Sequence, residues 1–496
     1  MSNEIGLPVL LPLLTAVLLA SLIGRYRIQR AVAIGSGVVL LAVAAHLAAR
    51  TADGEILVLR LGGWHPRVGV VWVVDGLSAV MLVLAAVTSL AMLIYAPGAL
   101  RLRERRHFYP LHQIMMMGIH GSFVTGDLFN LFVFFEIMLL ASFALISLGS
   151  RARQLQLTFP YVVVNLLASA LFLAGLGAMY GAAGTVNLAE LARRLGAGPM
   201  PASFWGAAAL VLIVFATKSA LVPLFFWLPD AYPEAPLPMS GLFAGLLTKV
   251  GVYTLFRFVP IVAASAPAGA QDVLLYGSGA TMLVGVIGAL GRGSVREILS
   301  FHIVSQVGYM VFGLALLTPL SVAAGMFYVV HHIIVKTALF FAGGIAERVG
   351  GAGAGRLGVV RGMAATHPAV AVGFFVPAMA LSGLPPFSGF WGKLFLVRAG
   401  LESRAFGVTA LSLFVSLLTL ASMLKIWTSV FWGKPEGQIR PASGRDRRML
   451  FPTLGLALLS VVIGLAASPL FSFCQATAAQ LVQVTPYVEA VLTDSK

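Results

Sequence analysis

The sequence predicts an all-α polytopic membrane protein with about 14 transmembrane helices, including two inverted five-helix repeats that each contain a broken helix. Three observations lead to this fold class. Hydrophobic residues make up 59% of the 496 residues, charged residues only 10%, and the mean hydropathy is +0.95. Fourteen apolar runs have about the length with which a helix crosses a bilayer. Prolines interrupt two of these runs, which are five spans apart.

The apolar runs define the predicted spans in chain order. They cover residues 5–23, 31–49, 70–95, 110–124, 127–148, 158–181, 204–227, 239–260, 272–291, 297–317, 320–346, 366–397, 407–432 and 450–471. The first run follows Glu4 and lacks a basic flank, which favours a first span over a cleaved signal peptide. The connection 54–68, with Gly62 and Gly63 in its middle, is compatible with a small hairpin.

The spans group into five regions. Residues 1–109 contain spans 1–3, 110–260 contain spans 4–8, 272–432 contain spans 9–13, 450–471 form span 14, and 475–496 form a polar tail. Because an offset of five spans is odd, the two five-helix units have opposite orientations in the membrane.

The distribution of basic residues predicts the orientation of the chain. Loops after odd-numbered spans carry 19 Lys and Arg residues, and loops after even-numbered spans carry 7. The odd loops are therefore expected in the cytoplasm and both termini outside. Topology of this kind explains the net charge of +15 without a nucleic-acid partner.

Proline marks the broken helix in each five-helix unit. In span 7, Pro223 follows Lys218 by five residues; in span 12, Pro385 and Pro386 precede Lys393. Proline interrupts the backbone hydrogen bonds of a helix, and a bilayer tolerates such breaks only where protein or water satisfies the exposed groups.

Five of the seven lysines lie inside apolar runs, whereas the arginines concentrate in the polar breaks. These lysines are Lys218, Lys249, Lys336, Lys393 and Lys425. Arginine stays protonated at any accessible pH, but a desolvated lysine can lose and regain its proton near neutrality. The lysine row therefore predicts a proton path, with Lys393 as a candidate exit group. Lys425 lies close to a basic loop, which favours snorkelling over proton transfer.

Glu136 is the only carboxylate well inside a span, and Lys218 lies at a similar depth. We expect these two residues to form a switchable ion pair that binds and releases protons. The alternative is a static bridge between spans 5 and 7. The switch is favoured because buried ion pairs stabilise a fold poorly compared with apolar packing.

Two stripes of polar residues extend the lysine row through spans 10 and 11. Span 11 contributes Tyr328, His332 and Lys336, and span 10 contributes His302, Ser305, Gln306 and Tyr309. Residues three or four apart share a helix face, whereas His331 points about 100° away from His332. Each histidine alone could simply bond neighbouring helices. The aligned set favours a hydrated proton relay between the two units.

Several classes of site are not indicated by the sequence. The single cysteine, Cys474, allows neither an internal disulfide nor a paired-cysteine metal site. The chain has no complete phosphate-binding loop and no dinucleotide-binding glycine motif. We therefore expect that this chain needs no bound cofactor.

Five segments carry a resemblance to a known family. They are GDLFNLFVFFE at 126–136, the stretch from Lys218 to Lys249, HIVSQVGY at 302–309, HHIIVK at 331–336 and LPPFSGFWGK at 384–393. These segments resemble the antiporter-like subunits shared by respiratory complex I and multisubunit Na⁺/H⁺ antiporters. The resemblance covers roughly residues 70–435. Within the family, the segments are most similar to the D-subunit branch of Mrp-type antiporters.

The resemblance implies a function and a set of site residues. Glu136 and Lys218 would be the essential pair, continued by Lys249, His332, Lys336 and Lys393. The chain would translocate protons in a heteromeric Na⁺ or K⁺/H⁺ antiporter of the bacterial plasma membrane, with other membrane subunits as its partners.

Three alternatives are compatible with the same sequence. One is a proton-pumping subunit of a complex I-like NADH–quinone oxidoreductase or a membrane-bound hydrogenase. A second is a scaffold that no longer conducts, which the costly buried charges disfavour. A third is a stand-alone solute transporter, which is disfavoured because no polar cluster marks one substrate-binding depth.

Overall fold

The structure, a computed structural model, describes residues 3–101, 104–149, 152–351 and 353–493. Arg103 and Arg151, which contribute to the predicted orientation, and residues 494–496 of the predicted tail lie outside these ranges. The first region contains helices α1 (Leu7–Ser21), α2 (Tyr26–Thr51) and α3 (Gly76–Ala99) and strands β1 (Leu57–Arg60) and β2 (Val71–Val74).

Two groups of helices follow. The first comprises α4 (Arg105–Val124), α5 (Leu128–Ile146), α6 (Ala152–Ala183), α7 (Leu188–Ala197), α8 (Ala202–Ser219), α9 (Leu228–Glu234), α10 (Leu237–Leu242) and α11 (Thr248–Ala263). The second comprises α12 (Ala270–Gly291), α13 (Val295–Ala315), α14 (Pro319–Gly350), α15 (Met363–Thr366), α16 (Pro368–Ser382), α17 (Ser388–Glu402), α18 (Phe406–Ile426), α19 (Gly444–Leu465), α20 (Ala467–Val482) and α21 (Thr485–Leu492).

The helical membrane fold is confirmed. Within the described ranges, 12 helices are long and apolar enough to cross a membrane. Two predicted spans are not among them: run 110–124 lies in the polar-ended α4, and run 366–397 is divided between α16 and α17. The number of 14 spans and the division into two repeats stay predictions.

Both proline-marked runs are interrupted in the structure. Helix α8 ends at Ser219 and α9 begins at Leu228, with Pro223 between them. Helix α16 ends at Ser382 and α17 begins at Ser388, with Pro385 and Pro386 between them. A third interruption, which the sequence did not indicate, is the π-helical turn Phe243–Leu247 between α10 and α11.

The hairpin between spans 2 and 3 is larger than the sequence indicated. Strands β1 and β2 pair antiparallel, with Leu57 opposite Val74. Helix α3 therefore begins at Gly76 and not near residue 70. The β-branched and aromatic residues of β2 favour a strand, and the Asp75 side chain caps α3 by accepting from Ser78 N at 3.0 Å.

The described part of the predicted polar tail is mostly helical. Helix α20 includes Cys474 and packs against α3, α11 and α14, and α21 follows it. Cys474 has no exposed surface. The C-terminal segment is thus part of the packed structure.

Ion pairs connect the loops after odd-numbered predicted spans on one side of the molecule. Arg153 pairs with Glu234, Arg292 with Asp230, Arg296 with Glu347, and Arg348 with Asp446. On the other side, β2 forms a bridge at Trp72 with Thr125. The structure thus brings the odd loops together, as an alternating membrane topology requires.

Candidate functional site

Lys218 lies in the last turn of α8, directly before the first helix break, and is buried. Its Nζ donates to Asn165 O at 3.1 Å, Asn165 Oδ1 at 3.3 Å and Ser169 Oγ at 3.4 Å. All three acceptors belong to α6. The break itself is held by Trp227, whose Nε1 donates to Thr217 O at 3.1 Å.

Glu136 does not form the predicted ion pair with Lys218 in this structure. Its Oε1 is buried and has no hydrogen-bond partner among the described residues, and the oxygens of α6 bind the Lys218 ammonium instead. Glu136 is nevertheless the charged group that acts electrostatically on Lys218. The structure therefore shows the pair open, and its switching stays a prediction.

Lys249 follows the π-helical turn directly and has no exposed surface. Its Nζ donates to Ala244 O at 2.9 Å and Thr248 Oγ1 at 3.0 Å. The π-helical turn provides the acceptor, since π-turns interrupt the regular i to i−4 bonds of a helix. As with Lys218, an irregular backbone segment accompanies a buried lysine.

His332 and Lys336 continue the buried cations on α14, and neither has exposed surface. Lys336 Nζ donates to Leu299 O of α13 at 2.7 Å. Neither ring nitrogen of His332 has a partner among the described residues, and the charges of Lys249 and Lys336 both act on its ring. A buried imidazole of this kind is a candidate for receiving a proton or a bridging water.

The polar stripes of α13 and α14 meet, as the sequence predicted. Tyr328 Oη donates to Gln306 Oε1 across the two helices. The rings of Tyr309 and Tyr328 stack with their centres 5.3 Å apart. These contacts continue the polar groups of α14 toward α18, where Ser412 O accepts from Tyr309 Oη at 2.5 Å.

Three other predicted residues point away from this contact. Ser305 Oγ donates to Met282 O of α12 at 2.9 Å, so the prediction of one face for all four α13 residues is wrong for Ser305. His302 Nε2 lies 2.9 Å from Ser422 Oγ of α18. His331 Nδ1 lies 2.7 Å from Ser388 Oγ at the start of α17. At three- and four-residue spacings, a helix face is wide enough for its residues to contact different neighbours.

Lys393 lies in α17, after the second helix break, and is buried. Its Nζ donates to Ser382 O at 3.0 Å and Ser416 Oγ at 2.7 Å. Ser382 is the last residue of α16, so the lysine satisfies a carbonyl that the break leaves open. The ammonium also lies 5.2 Å from the centre of the Tyr309 ring, which connects Lys393 with the stripe of α13.

Lys425, by contrast, caps a helix end. Its Nζ donates to Leu290 O and Arg292 O, at 2.9 and 2.8 Å, where α12 ends. This position fits the predicted snorkelling and lies apart from the contacts of the other four lysines.

The sequence analysis missed the neutral partners of Lys218 and Lys393, and the hydroxyl beside His302. These residues are Asn165, Ser169, Ser382, Ser416 and Ser422. Asn165 and Ser169 are four residues apart within an apolar run, which is a signal that could have been found. Within the four described ranges, no group of three or more His, Cys, Asp or Glu side chains is arranged to hold a metal ion. The candidate site is therefore built of lysines, histidines, hydroxyls and backbone carbonyls.

Comparison with known proteins agrees with the motif resemblance. A family model described as NADH:quinone oxidoreductase/Mrp antiporter, TM matches residues 125–419. The chain belongs to this family. It is 39% identical to the Na⁺/H⁺ antiporter D subunit of Alkalihalophilus pseudofirmus and 33% identical to that of Bacillus subtilis, covering 100% of each protein and of itself. The resemblance to the D-subunit branch is confirmed.

Three solved structures share the fold. A chain of the Mrp complex from Dietzia sp. matches with a TM-score of 0.93 and 35% identity, over 99% of this chain and 100% of that one. A chain of the archaeal membrane-bound sulfane sulfur reductase matches with a TM-score of 0.90 and 26% identity, over the same shares. A chain of respiratory complex I from Thermus thermophilus matches with a TM-score of 0.80 and 24% identity, over 96% of this chain and 99% of that one. This likeness supports the fold alone.

Proposed function

We propose that this chain is the proton-translocating subunit of a multisubunit monovalent cation (Na⁺ or K⁺)/H⁺ antiporter. One observation carries the proposal: four buried lysines, each bound only by neutral oxygens, follow one another through the fold. These are Lys218, Lys249, Lys336 and Lys393. A buried ammonium without a carboxylate partner loses its proton more readily, because burial disfavours the charged form of the lysine. The full-length likeness to named antiporter D subunits supports the same function.

The geometry supports a stepwise mechanism. Lys218 takes up a proton while the Glu136 carboxylate lies close to it, and releases the proton when Glu136 is withdrawn and only the neutral oxygens of α6 bind the ammonium. The proton then moves between the two units by way of Lys249, His332 and Lys336. Lys393 then exchanges protons at the second break, next to the ring of Tyr309. Each transfer moves one proton, so the chain needs no bound cofactor.

The antiporter works as a heteromeric complex in the bacterial plasma membrane, with both termini of this chain outside. The likeness to a chain of the Mrp complex supports the assembly, and the basic odd loops support the orientation. Na⁺ or K⁺ crosses mainly in a partner subunit or at an interface. Glu136 is a single mid-membrane carboxylate and therefore a poor cation cage. An experimental structure with Na⁺ held by this chain's own oxygens would overturn that assignment.

Everted membrane vesicles test the function directly. A cation-sensitive bacterium without its own antiporters expresses the whole operon, with the wild-type chain or with Lys218→Ala. We expect Na⁺ or K⁺ to collapse a preformed pH gradient in the wild type, and Lys218→Ala to abolish the collapse at equal complex abundance. Lys425→Ala is the matched control, because that lysine also donates to backbone carbonyls but caps α12. It should keep the wild-type rate.

A redox-linked proton pump is the second candidate, and the likeness to the archaeal sulfane sulfur reductase chain supports it. The same vesicles distinguish the two functions. If the wild-type complex assembles but shows no cation response, the redox-linked pump replaces the antiporter as the better proposal.

A further inference from the structure

A second buried polar cluster lies beside the lysine row, where α11 meets the start of α3. Arg257 donates to the two carboxylate oxygens of Asp75 at 2.5 and 2.7 Å, and both side chains are buried. Arg257 Nη2 and Tyr253 Oη each lie 3.1 Å from Ser78 Oγ. The steps from Lys218 to Lys393 use none of these groups.

The cluster is continuous with Lys249 along one helix face. Lys249, Tyr253 and Arg257 are four residues apart, which separates them by about 6 Å along the axis of α11. Long helical side chains lean over the preceding turn, so Tyr253 leans toward Lys249 and Arg257 toward Tyr253. Arg257 Nη2 reaches Tyr253 Oη at 3.4 Å. Polar side chains thus recur at four-residue spacing from Lys249 toward the membrane side where α3 begins, while the Lys249 ammonium itself is bound to Ala244 O in this structure.

Two small cavities flank Arg257. One is bordered by Asp75, Gln480 and Tyr487, and the other by Ser122, Tyr253 and Thr254. Each measures about 10 Å³, close to the lower limit for one water molecule. The first cavity is bordered by the Asp75 carboxylate and the Gln480 amide, which are partners that a buried water requires, whereas the lining of the second is mostly apolar. A single water in the first cavity would complete a hydrogen-bonded connection to Asp75.

We propose that Tyr253, Asp75 and Arg257 form a proton-release branch from Lys249, which rests on the proposed antiport function. The Lys249 ammonium, now bound to Ala244 O, turns toward Tyr253 and transfers one proton to the Tyr253 hydroxyl oxygen. The Tyr253 hydroxyl, which donates to Phe123 O at 2.7 Å in this structure, turns toward Ser78, and its own proton passes through Ser78 or a water to the Asp75 carboxylate. Lys249 becomes neutral and Asp75 protonated, until Asp75 releases the proton to the aqueous phase.

Arg257 makes the branch selective for protons. Its guanidinium stays charged and repels Na⁺ and K⁺, whereas a proton can move through neighbouring hydroxyls. The same charge favours the ionised form of Asp75 and so drives release. The C-terminal helix covers this end, because the Arg257 guanidinium carbon lies 5.3 Å from the centre of the Tyr487 ring.

The test uses the whole complex in everted vesicles and compares two tyrosine variants. Tyr253→Phe removes only the relay hydroxyl and leaves the Asp75–Arg257 pair intact. We expect it to slow cation-dependent collapse of the pH gradient by roughly ten-fold or more, with unchanged half-saturating cation concentration and complex abundance. Tyr95→Phe is the control. That hydroxyl is equally buried and donates to a carbonyl, Phe341 O, at 3.0 Å, and its loss should leave the rate near the wild-type value.

The outcomes separate this branch from the function itself. Wild-type activity in Tyr253→Phe, while Lys218→Ala is inactive, would overturn the branch alone. A wild-type complex without cation response would overturn the proposed function. If Tyr253→Phe does not assemble, the double variant Asp75→Asn with Arg257→Met tests the branch instead. It lacks the terminal acceptor, so an assembled complex with the wild-type rate overturns the branch and a roughly ten-fold slower one supports it.

Discussion

Replacing one member of the Asp75–Arg257 pair should destabilise the protein far more than replacing both. Arg257→Met leaves the Asp75 carboxylate buried with a single donor, Ser78 N at 3.0 Å. Asp75→Asn keeps an acceptor for that cap but leaves the Arg257 charge buried. The double variant removes both charges and keeps the cap.

The size of the effect follows from the two bonds at 2.5 and 2.7 Å. Breaking a buried ion pair by removing one partner costs about 3–5 kcal/mol, because the other charge stays uncompensated. We expect each single variant to lose at least about 3 kcal/mol. The double variant should stay within about 1 kcal/mol of the wild type, since apolar or neutral replacements of buried pairs are often harmless.

Cys474 provides the assay. It is the chain's single cysteine, has no exposed surface and lies on α20, which packs against both α3 and α11. A maleimide therefore reacts only after local or global opening. A loss of about 3 kcal/mol raises the labelling rate by roughly 100-fold, at 1.4 kcal/mol per ten-fold. Labelling of this chain is measured in the purified complex.

Two results would refute the reasoning. One is labelling of both single variants at nearly the wild-type rate, which would mean that the pair is solvated or dispensable. The other is a double variant that labels as fast as the two single effects combined, which would mean that the two residues act independently.

Three further predictions follow from other parts of the structure. Glu136→Gln should abolish cation-dependent proton transport in vesicles at normal complex abundance; normal transport would make the carboxylate structural. Gly308→Leu should prevent assembly, which is measured as loss of the complex from membranes, because a Cβ at this position would lie 2.7 Å from the backbone of α12. The control Gly277→Leu should assemble, since a Cβ at that position meets no atom within 4 Å. Glu190 accepts hydrogen bonds from Arg193 and Arg194, which lower its pKa to about 2. Its stabilising contribution is therefore present above the unfolded pKa of about 4.3 and lost as pH falls through about 2. Glu190→Gln should therefore lower the melting temperature of the complex equally at pH 8 and pH 6 but leave it unchanged near pH 2. The loss of stability should be only about 1 kcal/mol, because both arginines are solvent-exposed.

Several parts of the site could be predicted because they depend on local sequence. The four buried lysines stand out against apolar neighbours, and proline fixes the breaks near Lys218 and Lys393. The contact between the stripes of α13 and α14 followed from helical spacing and the cost of leaving polar groups in lipid.

Other parts could not be predicted, because they depend on which helices pack together. Lys218 binds Asn165, 53 residues away, and not the glutamate that charge alone indicated. Arg257 and Asp75 are 182 residues apart, and neither run suggests the other as a partner. Ser305 and Gln306 are adjacent and point about 100° apart, so Ser305 contacts α12 whereas Gln306 contacts α14.

The sequence by itself determined the membrane fold, the positions of the two proline-marked helix breaks and the lysines that lie within apolar runs, because hydropathy, proline geometry and the chemistry of lysine act locally along the chain. Only the tertiary structure decided which oxygens hold each ammonium, that the Glu136–Lys218 pair is open, and that Arg257 of α11 binds Asp75 at the start of α3. In a bilayer, every buried polar group needs a partner, and helix packing determines which partner is within reach.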